Sequence, residues 1–400
     1  MHSADNLAGT MTSFNFSVPT QIQFGSEIAR QAGSAVHSQL MAHGGPSNAG
    51  VLVIIDPGIK GMNWLSEILD SLHESGLQYE RFEQVKPNPR DEDIYKAASV
   101  LTDKHLGAVI AIGGGSAIDT AKTAALIAVH AGKVGDYLGW GNVPGPTLPL
   151  VAIPTTAGSG SEATCWAVIT DAKSHAKLAI GDRNLAPSVA LVDPTLTLSL
   201  PSSITATTGM DVLTHAIEAY ISSLSNPLND ALALEAIRLV AANLLQAVAN
   251  GEDLVAREAM MLAATLGGIA INNADVAGVH CLSEAIGGLY DAPHGLLNAI
   301  LLPYFMTFWQ SGCAERFVHV AEALGAAPKP EEAVNRVKDL THLLKLPSLS
   351  AVGVRDADLP RLAALAESNV SNPSNPVSMS APDYLHILVR AMSDQPATVS

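Results

Sequence analysis

Asp211 and His215 stand four residues apart in Thr208-Gly209-Met210-Asp211-Val212-Leu213-Thr214-His215-Ala216-Ile217-Glu218. On a helix, that spacing places two side chains on one face, a turn apart. His280 and His294 follow in separate segments, and these three are the only histidines between residues 201 and 310. One carboxylate and three imidazoles can bind a single divalent ion and leave a position open for substrate. Taken singly, each histidine is more often structural than a ligand. The metal reading rests on the set, in segments that are otherwise mostly apolar.

A second group of residues suits a phosphate. The apolar run Ala108–Ile112 leads into Gly113-Gly114-Gly115-Ser116 and then into a good helix, AIDTAKTAALIAV. Glycines let backbone N–H groups approach an anion, and a helix amino end adds positive partial charge. A pyrophosphate fits this better than a plain strand-to-helix turn does. Neither GxGxxG nor GxxxxGKS is present, so no standard fingerprint applies. Asp56 closes the apolar run Val51–Ile55, where an acid can accept from a ribose diol or cap a turn. A third loop, Pro154-Thr155-Thr156-Ala157-Gly158-Ser159-Gly160-Ser161-Glu162, gathers hydroxyls and glycines. One shared ligand explains two such loops better than chance does.

The elements that must carry these residues are legible in outline. Val51–Ile55, Ala108–Ile112 and Leu148–Pro154 are continuous apolar runs, as expected of parallel strands covered on both faces. Helical patterns from Asn63 to Ser75 and from Asp91 to Lys104 alternate with them, which predicts a doubly wound α/β sheet. Phe14–Gly25 reads as a short edge strand pair, because Pro19 would break a central ladder. Beyond Pro201 the pattern turns helical, notably over Asp230–Asn250 and Asp253–Asn272. The expected division is a disordered leader over 1–13, a nucleotide-binding α/β domain over 14–200 and an α-helical metal-binding domain over 201–400.

Composition excludes several classes. A net charge of −16 over 400 residues argues against nucleic acid, which requires a basic surface. No run of eighteen uncharged apolar residues suggests a membrane span, and the start lacks the pattern of a secretory signal. Three well-separated cysteines, Cys165, Cys281 and Cys313, point to a reducing cytoplasm. The expected partner is a small molecule, and a homo-oligomer is left open.

GGGSAIDTAK, PTTAGSGSE, GMDVLTHAIEAY and PHGLLNAILLP, with His280 and His294, resemble the iron-containing (group III) alcohol dehydrogenases. FNFSVPTQIQFG, the PNP of Pro87–Pro89 and VDPTLTLSLP extend the likeness over nearly the whole chain. The resemblance implies a dehydroquinate synthase-like fold, with NAD on the α/β domain and Fe²⁺, or Zn²⁺, on the helical domain. By match, Asp211, His215, His280 and His294 become the metal ligands. Asp56, Asn88, Gly114, Gly115, Ser116, Thr155, Thr156, Thr164 and Lys177 become NAD-binding positions, and Asp56 would favour NAD over NADP. The implied reaction is reversible hydride transfer between NAD(H) and a small alcohol, aldehyde or ketone. The rival readings are a dehydroquinate-synthase-like lyase that uses NAD transiently and a non-catalytic NAD- and metal-binding relative.

Two positions depart from the family pattern. Many relatives carry a second histidine four residues after the third ligand, where Glu284 stands here. The common NPR is replaced by Asn372-Pro373-Ser374-Asn375-Pro376. Glu284 is a candidate catalytic residue, or a carboxylate that holds a ligand. A substrate carboxylate about 6 Å from it would be repelled by roughly 3 kcal/mol at an effective dielectric of 20, so neutral substrates are expected.

Overall fold

Strands form where apolar residues are needed on both faces of a sheet. In the computed structural model, which describes residues 13–44 and 49–393, Val51–Ile55 is a strand with all five residues buried. Val51, Val53 and Ile55 point to one core and Leu52 and Ile54 to another on the opposite face. The chain order is β1 (Gln21–Phe24), α1 (Ala32–Ala42), β2 (Val51–Ile55), α2 (Asn63–Glu74), β3 (Tyr79–Phe82), α3 (Asp91–Asp103), β4 (Ala108–Gly113) and α4 (Gly115–His130). It continues through β5 (Gly139–Trp140), β6 (Leu150–Pro154), β7 (Trp166–Thr170), β8 (Lys177–Gly181) and β9 (Val189–Val192). Six strands make an all-parallel sheet in the order β1-β9-β6-β4-β2-β3. Helices α1 and α2 cover one face, and α3 and α4 the other.

Several sequence expectations need correction. Phe14–Gly25 is not a strand pair but one edge strand, β1, parallel to β9. The residues before it bond elsewhere: Ser17 N donates to Asn273 Oδ1 at 2.7 Å, and Ser17 O accepts from Asn273 Nδ2 at 3.1 Å. The expected leader lies outside the described residues except for Ser13. A second, three-stranded sheet in the order β5-β8-β7 was not anticipated, because its strands are short and only partly buried.

Beyond β9 the described chain is helical. Here lie α5 (Ser202–Ile221), α6 (Pro227–Ala249), α7 (Leu254–Ala274), α8 (Gly278–Tyr290) and α9 (His294–Trp309). After them come α10 (Ala314–Ala323), α11 (Pro330–Leu343), α12 (Leu359–Glu367) and α13 (Ala381–Ser393). Every residue of α5 from Gly209 to Ile221 is buried, as expected of a helix surrounded by others. Helices α6 and α7 are long and apolar enough to cross a membrane by length and composition, although charged residues interrupt both. Here they contribute to the same helical core as α5.

The two halves meet where the loop after β6 touches α5 and α7. Gly160 has φ +62°, and a Cβ there would lie 2.5 Å from Gly268 Cα on α7. A Cβ on Gly158 would lie 2.8 Å from Thr208 Cβ on α5. Only glycine permits this approach, and it brings the loop beside the helix that carries Asp211 and His215.

Candidate active site

Three helices converge on one cluster. Asp211 and His215 come from the middle of α5, His280 from the first turn of α8, and His294 from the first residue of α9. One donor atom from each lies within 4.8 Å of the others. His215 Nε2 and His294 Nε2 are 3.7 and 3.9 Å from Asp211 Oδ1. The rings of His215 and His280 stack with centroids 4.8 Å apart. Asp211, His215 and His280 are buried, whereas the His294 side chain keeps 36% exposure, so the cluster is accessible on that side.

Electrostatics keep these donors unprotonated. Burial pushes His280 down to about 4 and His294 to about 3, and it lowers His215 as well. Burial works to raise Asp211, but the three imidazoles and the amide of Asn298 outweigh it and hold the carboxyl below its usual range. Metal ligands must be deprotonated, so this is the state a divalent ion requires. The donor set of three nitrogens and one oxygen fits a borderline ion such as Fe²⁺ or Zn²⁺.

Two supporting residues escaped the sequence reading. Glu218 accepts a short hydrogen bond from His280 Nδ1, and its other oxygen accepts from Val279 N at 2.7 Å. Asn298 Nδ2 donates to Asp211 Oδ1 at 2.7 Å. Both were signalled by spacing. Glu218 is seven residues from Asp211, and Asn298 is four from His294, so each shares a helical face with a ligand candidate. Burial pushes Glu218 up to about 7.

The dinucleotide candidates fall into two groups. Asp56 and the glycine turn meet between β2 and β4, where the strand order reverses and such sheets bind ligands. Asp56 N donates to Ile112 O at 3.0 Å, and a Cβ on Gly113 would lie 2.7 Å from Asp56 Cβ. Asp56 Oδ1 also caps a turn by accepting from Gly58 N at 2.8 Å. The loop after β6 lies alongside: a Cβ on Gly114 would meet Thr156 Oγ1 at 3.1 Å, and one on Gly115 would meet Ser159 Oγ at 2.6 Å. Ser116 opens α4 beside them. Thr155 is buried at 2% exposure, and Thr164 accepts from the buried Lys122 Nζ at 3.0 Å, so these two lie beneath the surface.

Asn88 and Lys177 form the second group. Lys177 Nζ donates to Asn88 Oδ1 at 2.7 Å, and Asn88 Nδ2 donates to Asp291 Oδ1 at 3.0 Å, at the end of α8. Burial lowers Lys177 to about 8, partly offset by the charge of Glu284. Glu284 is one turn from His280 on α8. Its Oε2 accepts from Asn369 at 2.7 Å, and burial raises its carboxyl. The divergent stretch supports the same helix, because Asn375 Oδ1 accepts from Gly278 N at the start of α8 at 3.0 Å.

Residues 19–194 match the family model described as "Iron-containing alcohol dehydrogenase", and residues 205–392 match "Fe-containing alcohol dehydrogenase family, C-terminal". The sequence is 36% identical over 386 residues to the NAD-dependent methanol dehydrogenase of Bacillus methanolicus, covering 94% of this chain and 100% of that one. It is 38% identical over 335 residues to the 1,3-propanediol dehydrogenase of Citrobacter freundii, covering 81% and 87%. The crystal structure of a 1,3-propanediol oxidoreductase superposes with a TM-score of 0.90 at 34% identity, covering 95% of this chain and 100% of that one.

The depressed imidazoles have a pH signature. Their folded values lie below the unfolded value of 6.5, so the stability they contribute is present above that value. It is lost as pH falls toward about 4 and about 3. In chelated protein, the ring NMR signals of His280 and His294 should stay at their neutral positions from about pH 8 to about pH 5. A midpoint near 6.5 for either ring contradicts the burial argument.

Proposed function

The chain belongs to the iron-containing alcohol dehydrogenase family, and we infer from this that Asp211, His215, His280 and His294 hold its divalent ion. It is a metal-dependent oxidoreductase that moves a hydride reversibly between NAD(H) and an alcohol or its carbonyl partner. The observation that carries the ligand assignment is the convergence of four deprotonated donors from three helices within 4.8 Å. When bound, the ion supplies Lewis acidity that eases loss of the alcohol proton and polarises the carbonyl.

The remaining roles belong to the chain itself. Backbone N–H groups of Gly114, Gly115 and Ser116 at the start of α4 would hold the pyrophosphate of NAD. Asp56 accepts from the ribose hydroxyls and repels a 2′-phosphate. Thr156 lies beside the glycine turn, with Thr155 and Thr164 supporting the loop from beneath. Asn88 and Lys177 close the cofactor site on the side of α8.

Glu284 is assigned to the substrate side rather than to the ion, because its Oε2 is held by Asn369 and its charge interacts with Lys177 of the cofactor group. Neutral short-chain alcohols and aldehydes suit this carboxylate. Lys177 and the raised affinity of Glu284 for a proton weaken its repulsion of acids relative to the estimate from sequence. The three free cysteines fit a reducing cytoplasm.

The deciding experiment is a screen of alcohols and aldehydes with NAD(H) on protein reconstituted separately with Fe²⁺ and Zn²⁺. His280→Ala or His294→Ala is expected to lower metal content and turnover together while NAD binding, followed by fluorescence, survives. Metal content unchanged in both variants would reject the ligand set. NAD should give a higher kcat/KM than NADP, and Asp56→Gly should narrow the difference; equal values in the unmodified enzyme remove the assigned role of Asp56. Glu284→Gln should raise kcat/KM for short carboxylate-bearing aldehydes about tenfold, equivalent to about 1.4 kcal/mol, without loss of metal. An enzyme that already prefers those acids over neutral aldehydes contradicts this placement.

A further inference from the structure

Asn298 is fully buried on α9, one turn beyond His294. Its amide nitrogen is 2.7 Å from Asp211 Oδ1, 3.0 Å from His280 Nε2 and 3.1 Å from His294 Nε2. Its amide oxygen is buried and has no hydrogen-bond partner among the described residues. Such a group is costly to leave unpaired, so the orientation of this amide needs a cause. Asp211 supplies it, because an amide oxygen turned toward the carboxylate at the same distance would be repelled.

The consequence reaches the imidazoles. With one N–H on Asp211, the second is shared between Nε2 of His280 and Nε2 of His294; an N–H aimed at a ring nitrogen requires a lone pair there, which places the hydrogen of a neutral ring on Nδ1. At His280 that nitrogen faces Glu218. The His280–Glu218 contact by itself fits either ring tautomer. In one, a neutral imidazole donates Nδ1–H to the ionised carboxylate; in the other, which holds one proton more, a carboxylic acid donates to Nδ1 and Nε2 carries the ring hydrogen. Only the first lets Nε2 bind an ion, and only the first is compatible with the amide of Asn298.

Resting on the ligand set inferred above, we propose that Asn298 is a positioning residue of the metal centre. It orients the Asp211 carboxylate and selects the imidazole tautomers whose Nε2 lone pairs face the ion. The bond to Asp211 is the shortest of the three contacts and the only one to a charged acceptor, so it persists when the ring nitrogens turn to the ion. Hydrogen-bond partners of metal ligands typically account for 10–100-fold in affinity.

The test uses the full-length enzyme, chelated and then reloaded with Co²⁺ as the probe. Asn298→Leu keeps the branched shape without the amide, and Asn298→Ser serves if leucine prevents folding. Chelator competition should show Co²⁺ binding about 10–100-fold weaker than in the unmodified protein. The visible Co²⁺ spectrum should change, and NAD binding should not. In unmodified, chelated protein labelled with ¹⁵N at histidine, NMR should find Nε2 of His280 and His294 free of hydrogen. Equal or tighter Co²⁺ binding with an unchanged spectrum overturns the role of Asn298, as does hydrogen on His280 Nε2. Failure of the unmodified protein to bind Co²⁺ would instead refute the ligand set, and the role of Asn298 with it.

Discussion

A carboxylate and three imidazoles gathered in an apolar helical core are unfavourable unless each has a partner, and the helical half is organised around that constraint. Asp211 lies on a helix buried on every side, between Asn298 and the imidazoles. Glu218, on the same helix, faces His280 across to α8. Burial lowers the histidines, which leaves their rings neutral, and it raises Glu218. The result is a cluster of lone pairs that suits a cation better than it suits protons.

The loop after β6 and the chain that follows it tie the sheet half to the helices around this cluster. Helix α4 holds that segment by Asp119, which accepts from Ser161 Oγ at 2.5 Å and Val168 N at 3.0 Å. Lys122 adds bonds to Thr164 O at 2.9 Å and Trp166 O at 2.7 Å. The amino end of the same helix carries the glycine turn. Farther along the segment, Cys165 N donates to Asn272 Oδ1 on α7 at 2.8 Å, and Glu162 accepts from Thr265. A single stretch of chain thus ties the cofactor loops to the helices that pack around α5.

A second link closes the opposite side. Arg90 pairs with Asp291 at 2.8 Å, and Asn88 bonds to the same carboxylate. Gly288 lets His175 O of the β7–β8 turn approach α8, where a Cβ would sit 2.5 Å from that oxygen. Helix α8 therefore carries His280 at one end and the interdomain contact at the other, with Glu284 between them. Its start is capped by Asn375, so one stretch that departs from the family pattern supports the helix that carries the other departure, Glu284.

The sequence by itself determined the strand-to-helix alternation and the change to helices after Pro201, and it put Asp211 and His215 on one helical face. These follow from local rules: continuous apolar runs for buried strands, and a spacing of four for one helical face. His280 and His294 were assigned with that pair through the family resemblance. Asp56 and the glycine turn were each legible as strand ends, and pairing of β2 with β4 makes those ends neighbours. Tertiary structure decided what local rules do not encode. The residues before β1 bond to Asn273 instead of forming a strand, and the small second sheet arises from segments too short to announce themselves. Thr155 and Thr164 lie beneath their loop, and Glu284 answers to Asn369 rather than to a metal ligand. Glu218 and Asn298 acquire their roles only when α5, α8 and α9 pack, because a side chain's partner and protonation depend on what burial places opposite it.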